Sequence, residues 1–533
     1  GNTRVGSAAG DSFDGTNANN NTLIGKNAGT AITGGDNNTA VGQGALVTNT
    51  TGSDNVAIGD DALRLNVTGS YNTAVGTDCL DDNTADNNTG VGYRALYQNT
   101  TASDNTAIGH KVLEANTTGA HHSALGAFAL QSNTTGDENT AVGKSALGYN
   151  ESGNKNTAVG RSALSANLAS ENTGVGYKTL LANTTGTRNT ALGAWSLDSN
   201  TTASDNTAVG YDALAANTTG TRNSSLGSYA LDASSTNDDN TAIGYNALSA
   251  NAANSNTAVG SRSLDANTTG TRNVAVGDLS ASDNTTSNDI TAIGYAALQV
   301  NTGSENTAVG SRALDANTTA SYNTAIGSVA LTTNTTGTSN AAAGYAALHD
   351  NTTGASNTAV GRQSLEKNTT ASQNTAVGHE ALRFNTTGQY NTAVGYQALD
   401  ANTTADQNTA VGYNAMLTNT TGTLNVAVGG GSLDANTTGN NNTAVGQNAL
   451  GANTTASANT AVGKGAMSSN TTGADNCAFG HSAMSDATNT GSGRNNAFGY
   501  EALQDLTTGT QNQAMGFQAG ANLTTGSYNN IMG

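Results

Sequence analysis

The pentad Asn206-Thr207-Ala208-Val209-Gly210 returns seventeen residues further on, with small changes, and keeps returning along the whole chain. Asn55-Val56-Ala57-Ile58-Gly59, Asn105-Thr106-Ala107-Ile108-Gly109 and Asn442-Thr443-Ala444-Val445-Gly446 are versions of it. Thirty-two copies run from Asn2–Gly6 to Asn529–Gly533. A unit this short cannot enclose a core of its own, so it must stack on its neighbours, and the expected architecture is a solenoid. Residues 1–533 are read as one continuous repeat domain rather than the three or four domains that such a length usually implies.

Within a unit such as Asn206–Arg222, Thr207 and Val209 are β-branched residues two apart, which suits one face of a short strand. Ala213-Leu214 reads as a second short strand, and Asn217-Thr218-Thr219-Gly220 as a polar turn into the next pentad. Poor helix formers on every turn exclude a helix. The fold class is all-β: a parallel β-roll of about 31 coils, on the order of 150 Å long at the spacing of stacked strands. The chain contains no proline, as expected where almost every backbone N–H is needed between coils.

Comparing the copies assigns roles. The fifth residue is always Gly, including Gly59, Gly109, Gly210, Gly277, Gly327, Gly429 and Gly446, which demands a positive φ or very close backbone approach. The fourth residue is apolar, so Ile58, Val209, Val276 and Val445 are expected in the core together with Leu214. The third is Ala, Gly or Ser except at Arg4, Leu23 and Ile531. Alternation then turns Ala57, Ala208, Ala275 and Ala444 to the opposite side, confined either by a neighbouring chain or within a narrow coil. In-register stacking would build asparagine ladders at positions like Asn206 and Asn217. Four units, starting at Asn72, Asn156, Asn240 and Ile290, are one residue short in the NTTG segment, which reads as a surface loop. No capping segment is evident, so the chain reads as a candidate piece of a longer fibre.

Composition narrows the function. Charged residues are 11% of the chain and the net charge is −19, which offers no basic stripe for nucleic acid. The mean hydropathy is −0.39, and no apolar run is long enough to insert in a membrane. Cys79 and Cys477 lie on the order of 100 Å apart in a stacked solenoid, too far to pair within one chain.

The pentads Asn55–Gly59, Asn273-Val274-Ala275-Val276-Gly277 and Asn425-Val426-Ala427-Val428-Gly429 resemble the N/S-V-A-I-G motif of YadA-like trimeric autotransporter adhesin heads. The unit beginning Asn391-Thr392-Ala393-Val394-Gly395 is similar to repeats of bacteriophage tail fibres. The resemblance covers essentially the whole chain, although the unit here is longer than the adhesin repeat and Thr usually replaces its first Val. It implies a left-handed β-roll wound as a homotrimer, with an attachment role outside the cell or on a virion. Assembly of a single-chain solenoid into a filament is the alternative.

Chemistry was sought in the remaining residues. No acid, base or nucleophile recurs in a catalytic arrangement, so an enzyme is not expected. The histidines, among them His121 and His122, lack metal-ligand spacing and read as surface residues. Aspartates such as Asp54, Asp104 and Asp205 do not follow the calcium nonapeptide, so no cofactor is expected and solvation is preferred to calcium. Tyr93, Tyr177, Tyr211, Tyr245, Tyr295, Tyr396 and Tyr413 follow the invariant Gly, either packing over the coil or forming aromatic platforms for a glycan or host surface. NTT triplets make Asn116, Asn217 and Asn334 candidate N-glycosylation sites. Stacked Thr rows would suit ice binding on a flat side, but these Thr are expected in a turn.

Overall fold

The structure is a computed structural model that describes residues 1–13, 17–488 and 493–533. It is an all-β parallel solenoid of about 31 turns with a 17-residue repeat, and no helix occurs among the described residues. Two compact units are present, Gly1–Thr269 and Gly270–Gly533. The first carries strands β1 (Thr3–Val5) to β16 (Thr257–Val259), and the second β17 (Val274–Val276) to β32 (Asn530–Met532).

Each strand comprises the middle three residues of a pentad, and within a unit it pairs in parallel with the strand of the next coil. In β13 (Thr207–Val209), Thr207, Ala208 and Val209 stand opposite Ser224, Ser225 and Leu226 of β14 (Ser224–Leu226). A shortened unit keeps this register, since Thr73 still pairs with Thr89 across the deletion. The missing residue is absorbed in the NTTG segment, where the sequence placed it.

The two faces of the strand are the reverse of the expectation. Ala57, Ala208, Ala275 and Ala444 are completely buried inside their own coil, whereas Ile58 points outward and is 40% exposed. Val209 and Val276 are also only half-buried, and Val445 is exposed. The interior is already occupied by Leu214 and its equivalents and by two columns of asparagine, all buried. Little volume remains beside them, so the strand turns its smallest side chain inward.

Exceptions on the inner row show that this is a limit on volume. Leu23 is fully buried, and glycines replace the usual Leu at Gly10 and Gly29. A Cβ at Gly29 would lie 2.8 Å from the Leu23 side chain. At the other end a Cβ at Gly520 would meet Ile531 at 2.7 Å. Arg4 makes the same exchange with Gly10, donating a hydrogen bond from its guanidinium to the Gly10 carbonyl (3.0 Å). Mid-chain, Gly90 accommodates the Cys79 thiol, 2.6 Å from where its Cβ would stand. Large inner residues therefore mark a local trade of volume.

Ala213-Leu214 is not a second strand. Asp212 and Leu214 have φ of 51° and 53°, so left-handed residues alternate along this stretch and curl it into consecutive turns. Such residues cost about 1–2 kcal/mol each, offset by burial of the leucine and by stacking. The Leu214 N–H donates to the Ala230 carbonyl of the next coil (2.9 Å).

The asparagine ladders form as expected and meet at one carbonyl. The Asn206 amide donates to the Gly220 carbonyl (2.9 Å), and the Asn206 backbone N–H donates to Asn189 Oδ1 (3.0 Å). The Asn217 amide donates to the same Gly220 carbonyl (3.0 Å) and to Asn200 Oδ1 (2.9 Å). Each coil's polar turn is thereby clamped from within. At the chain ends Ile32 and Leu506 stand in the Asn217-type position, both buried.

Candidate functional site

The pentad glycines hold the corner after each strand. At Gly59, Gly109, Gly210, Gly277, Gly327, Gly429 and Gly446, φ lies between 133° and 144°. A Cβ on Gly210 would lie 2.4 Å from the carbonyl oxygen of Gly227 in the next coil. Left-handed backbone and close approach both exclude a side chain. Fixing this corner aligns the strands so that their outward residues form two straight rows.

One row is mainly threonine, as in the register Thr140–Thr157–Thr173, and the other mainly valine, isoleucine or leucine. Their size varies freely. Ala343, Val209, Leu226 and Phe479 all serve at the same outward position, and Leu226 is 49% exposed. Their charge does not vary in the same way: among the described residues, no strand places Lys, Arg, Asp or Glu at either outward position. With charge at 11% of the chain, composition alone does not explain that absence.

Charge begins immediately beside the rows. One residue before the pentad, Arg188, Arg222 and Arg272 each reach the aspartate one coil on, with Arg222 Nε 2.6 Å from Asp239 Oδ1. Asp205 is held below the usual carboxylate range chiefly by its hydrogen bonds from Arg188. These pairs are exposed and screened by solvent, so they add little to stability. Lysine and arginine are thus compatible with the turn of the coil, and their absence is confined to the strand rows.

The tyrosines separate into several groups. Tyr177, Tyr211 and Tyr245 join Trp195 and Tyr229 in one row, while Tyr93 leads a second with His110 and Phe128. Tyr396 and Tyr413 stack with His379, and Tyr295 lies under Arg312 at 6.0 Å. Trp195, Tyr229 and Phe128 escaped the sequence reading because they sit two places after the glycine instead of one. Residues at those two places become neighbours in adjacent coils, a relation that a search at fixed position misses.

Two assignments are corrected. Asn116, Asn217 and Asn334 are fully buried with their amides donating inside the coil, so the folded chain does not offer them for glycosylation. His122 is not a surface residue. It replaces the first asparagine of a pentad, is 1% exposed, and accepts the Asn139 N–H at Nδ1 (3.1 Å). Burial pushes its pKa down to about 4. His121 beside it is exposed and lies 3.9 Å from Asp104.

Protein-family models give no match to this sequence, and a search of curated proteins finds no relative. The outer rows, the aromatic row and the glycine corner therefore have to be interpreted from their own chemistry. No helix is long and apolar enough to cross a membrane among the described residues.

Proposed function

We propose that the chain is a structural shaft, part of an extracellular surface adhesin or tail fibre, in which the outer strand faces of identical chains pack together. The observation that carries this reading is the uncharged pair of outer rows. Completing the burial of one half-exposed Val or Ile contributes about 1 kcal/mol per coil. Some fifteen matched coils would then offset even the upper part of the roughly 4–15 kcal/mol cost of association. A partner that matches every coil needs the same repeat period, which a second copy of this chain supplies. The resemblance to adhesin heads favours three copies over two.

Light scattering on the purified protein tests this directly. A mass near three times 52.8 kDa is expected, and a single-chain mass at micromolar concentration would overturn assembly. A second reading rests on the Thr rows, which occupy the strands themselves and not only the turn. Left uncovered, regular hydroxyl and methyl rows on a sheet suit an ordered water lattice. A single-chain mass combined with thermal hysteresis would favour ice binding.

A further inference from the structure

Most rows of rings on this chain cover themselves. Tyr396 lies between His379 and Tyr413 with interplanar angles of 8° and 12°, so both of its faces are occupied. Tyr500 is stacked in the same way between His481 and Phe517. The longest row, in the first unit, differs. Tyr177, Trp195, Tyr211, Tyr229 and Tyr245 have centroids 5.4, 5.3, 5.4 and 6.2 Å apart, but their successive angles are 85°, 88°, 72° and 83°. In a run of edge-to-face contacts every second ring turns only its edge to its neighbours, so its faces stay clear of the other rings. Tyr211 and Tyr245 are 42% and 49% exposed.

Hydrogen-bond acceptors accompany the open rings. Asp198, Asp212 and Asp232 are half-buried in the same coils, and burial holds their carboxyls above the ordinary range. Asp212 adds to the shift at both Asp198 and Asp232. Asp232 also lines, with Tyr229, Tyr245, Asn246 and Ser249, an open concavity of about 410 Å³. Cations stand at the two ends of the row: Arg161 and Lys178 sit 5.9 and 5.4 Å from the Tyr177 ring, and the Arg262 backbone N–H donates to the Tyr245 carbonyl (2.8 Å) from the following coil.

We propose that this row binds an extended, uncharged polysaccharide, with sugar rings stacked on the open aromatic faces and hydroxyls donating to the aspartates. A pyranose has an apolar C–H face and a rim of hydroxyl donors, which matches rings beside carboxylates. The ligand is a polymer because the rings continue over five coils, so one extended chain can reach the clear faces of alternate rings. The three carboxylates disfavour an acidic polymer, since like charges oppose each other along the row. This site belongs to the first unit alone.

Trp195 is the only tryptophan in the chain, so its fluorescence reports on this row. The intact protein would be run through native gels containing hydroxyethylcellulose, xyloglucan or galactomannan, with polygalacturonate as the acidic control. Retardation by at least one neutral polymer is expected, together with a shift of Trp195 emission in its presence. Tyr211→Ala and the better-packed Tyr211→Leu should each weaken binding about tenfold, with unchanged melting profiles, while Tyr396→Ala in the closed row should not. The proposal is overturned if no neutral polymer retards the protein or if polygalacturonate alone does. It is equally overturned if both Tyr211 variants bind like the parent.

Discussion

The inner and outer rows of the same strands obey different rules. Inside, Ala208 gives way to a larger residue only where a neighbour shrinks, as Leu23 does beside Gly10 and Gly29. Outside, Val209 is replaced by alanine, leucine or phenylalanine without compensation, yet never by a charged residue. The inner rule is set by the coil itself, which has a fixed volume to fill. The outer rule restricts polarity and ignores size. The coil's own volume does not set that restriction, and the proposed packing of identical chains would account for it.

The largest effect should come from the corner that keeps both rows straight. Gly210→Ala puts a methyl into the Gly227 carbonyl and should cost about 4 kcal/mol or more locally. Hydrogen exchange would show lost protection in the coils around it, and unchanged protection would mean that the corner yields. The inner ladder should make stability depend on pH at one coil. His122 has a folded pKa of about 4, below the ordinary value near 6.5. Between these values the unfolded chain binds more protons, so stability is full above about pH 6.5 and falls as pH is lowered toward 4, by ~3 kcal/mol. His122→Asn should remove that local dependence, measured by hydrogen exchange across the same pH range.

Next in size, Ala208→Leu should overpack its coil by about 1–3 kcal/mol. Adding Leu214→Gly should restore part of the loss by recreating the exchange seen at Leu23. If the double variant melts no higher than the single one, the inner row is not limited by volume. The smallest effect on the coil belongs to the outer row. Val445→Lys should change local stability by about 0.5 kcal/mol or less, while lowering the assembled mass in light scattering. A destabilised coil with unchanged mass would reverse the assignment of the two rows.

Much of this was legible in the repeat itself. The glycine row follows from a position that does not vary, and the Leu214-type core and both asparagine ladders from positions that vary little. Alternation shows that Ala57 and Ile58 face opposite sides but not which side is inside, and choosing the larger apolar residue for the interior failed. That preference suits a wide core, whereas this interior is narrow and already holds a leucine and two asparagines per coil. Leu214 was misassigned as strand because its left-handed backbone is forced by stacking and leaves no local signal. The glycosylation triplets misled for a related reason, since their asparagines are committed to the ladders.

Parallel pairing of each strand only with its immediate neighbours has a mechanical consequence. Under tension along the stack, a coil at the end of a unit can detach while those behind it stay intact. Each one released yields about 60 Å of extended chain for about 5 Å of stack height. Such a chain would lengthen in small steps and dissipate work at each, instead of failing at once. Ile32 and Leu506, which plug the interior where the Asn217-type column is interrupted, should raise the load needed to detach the coils that hold them.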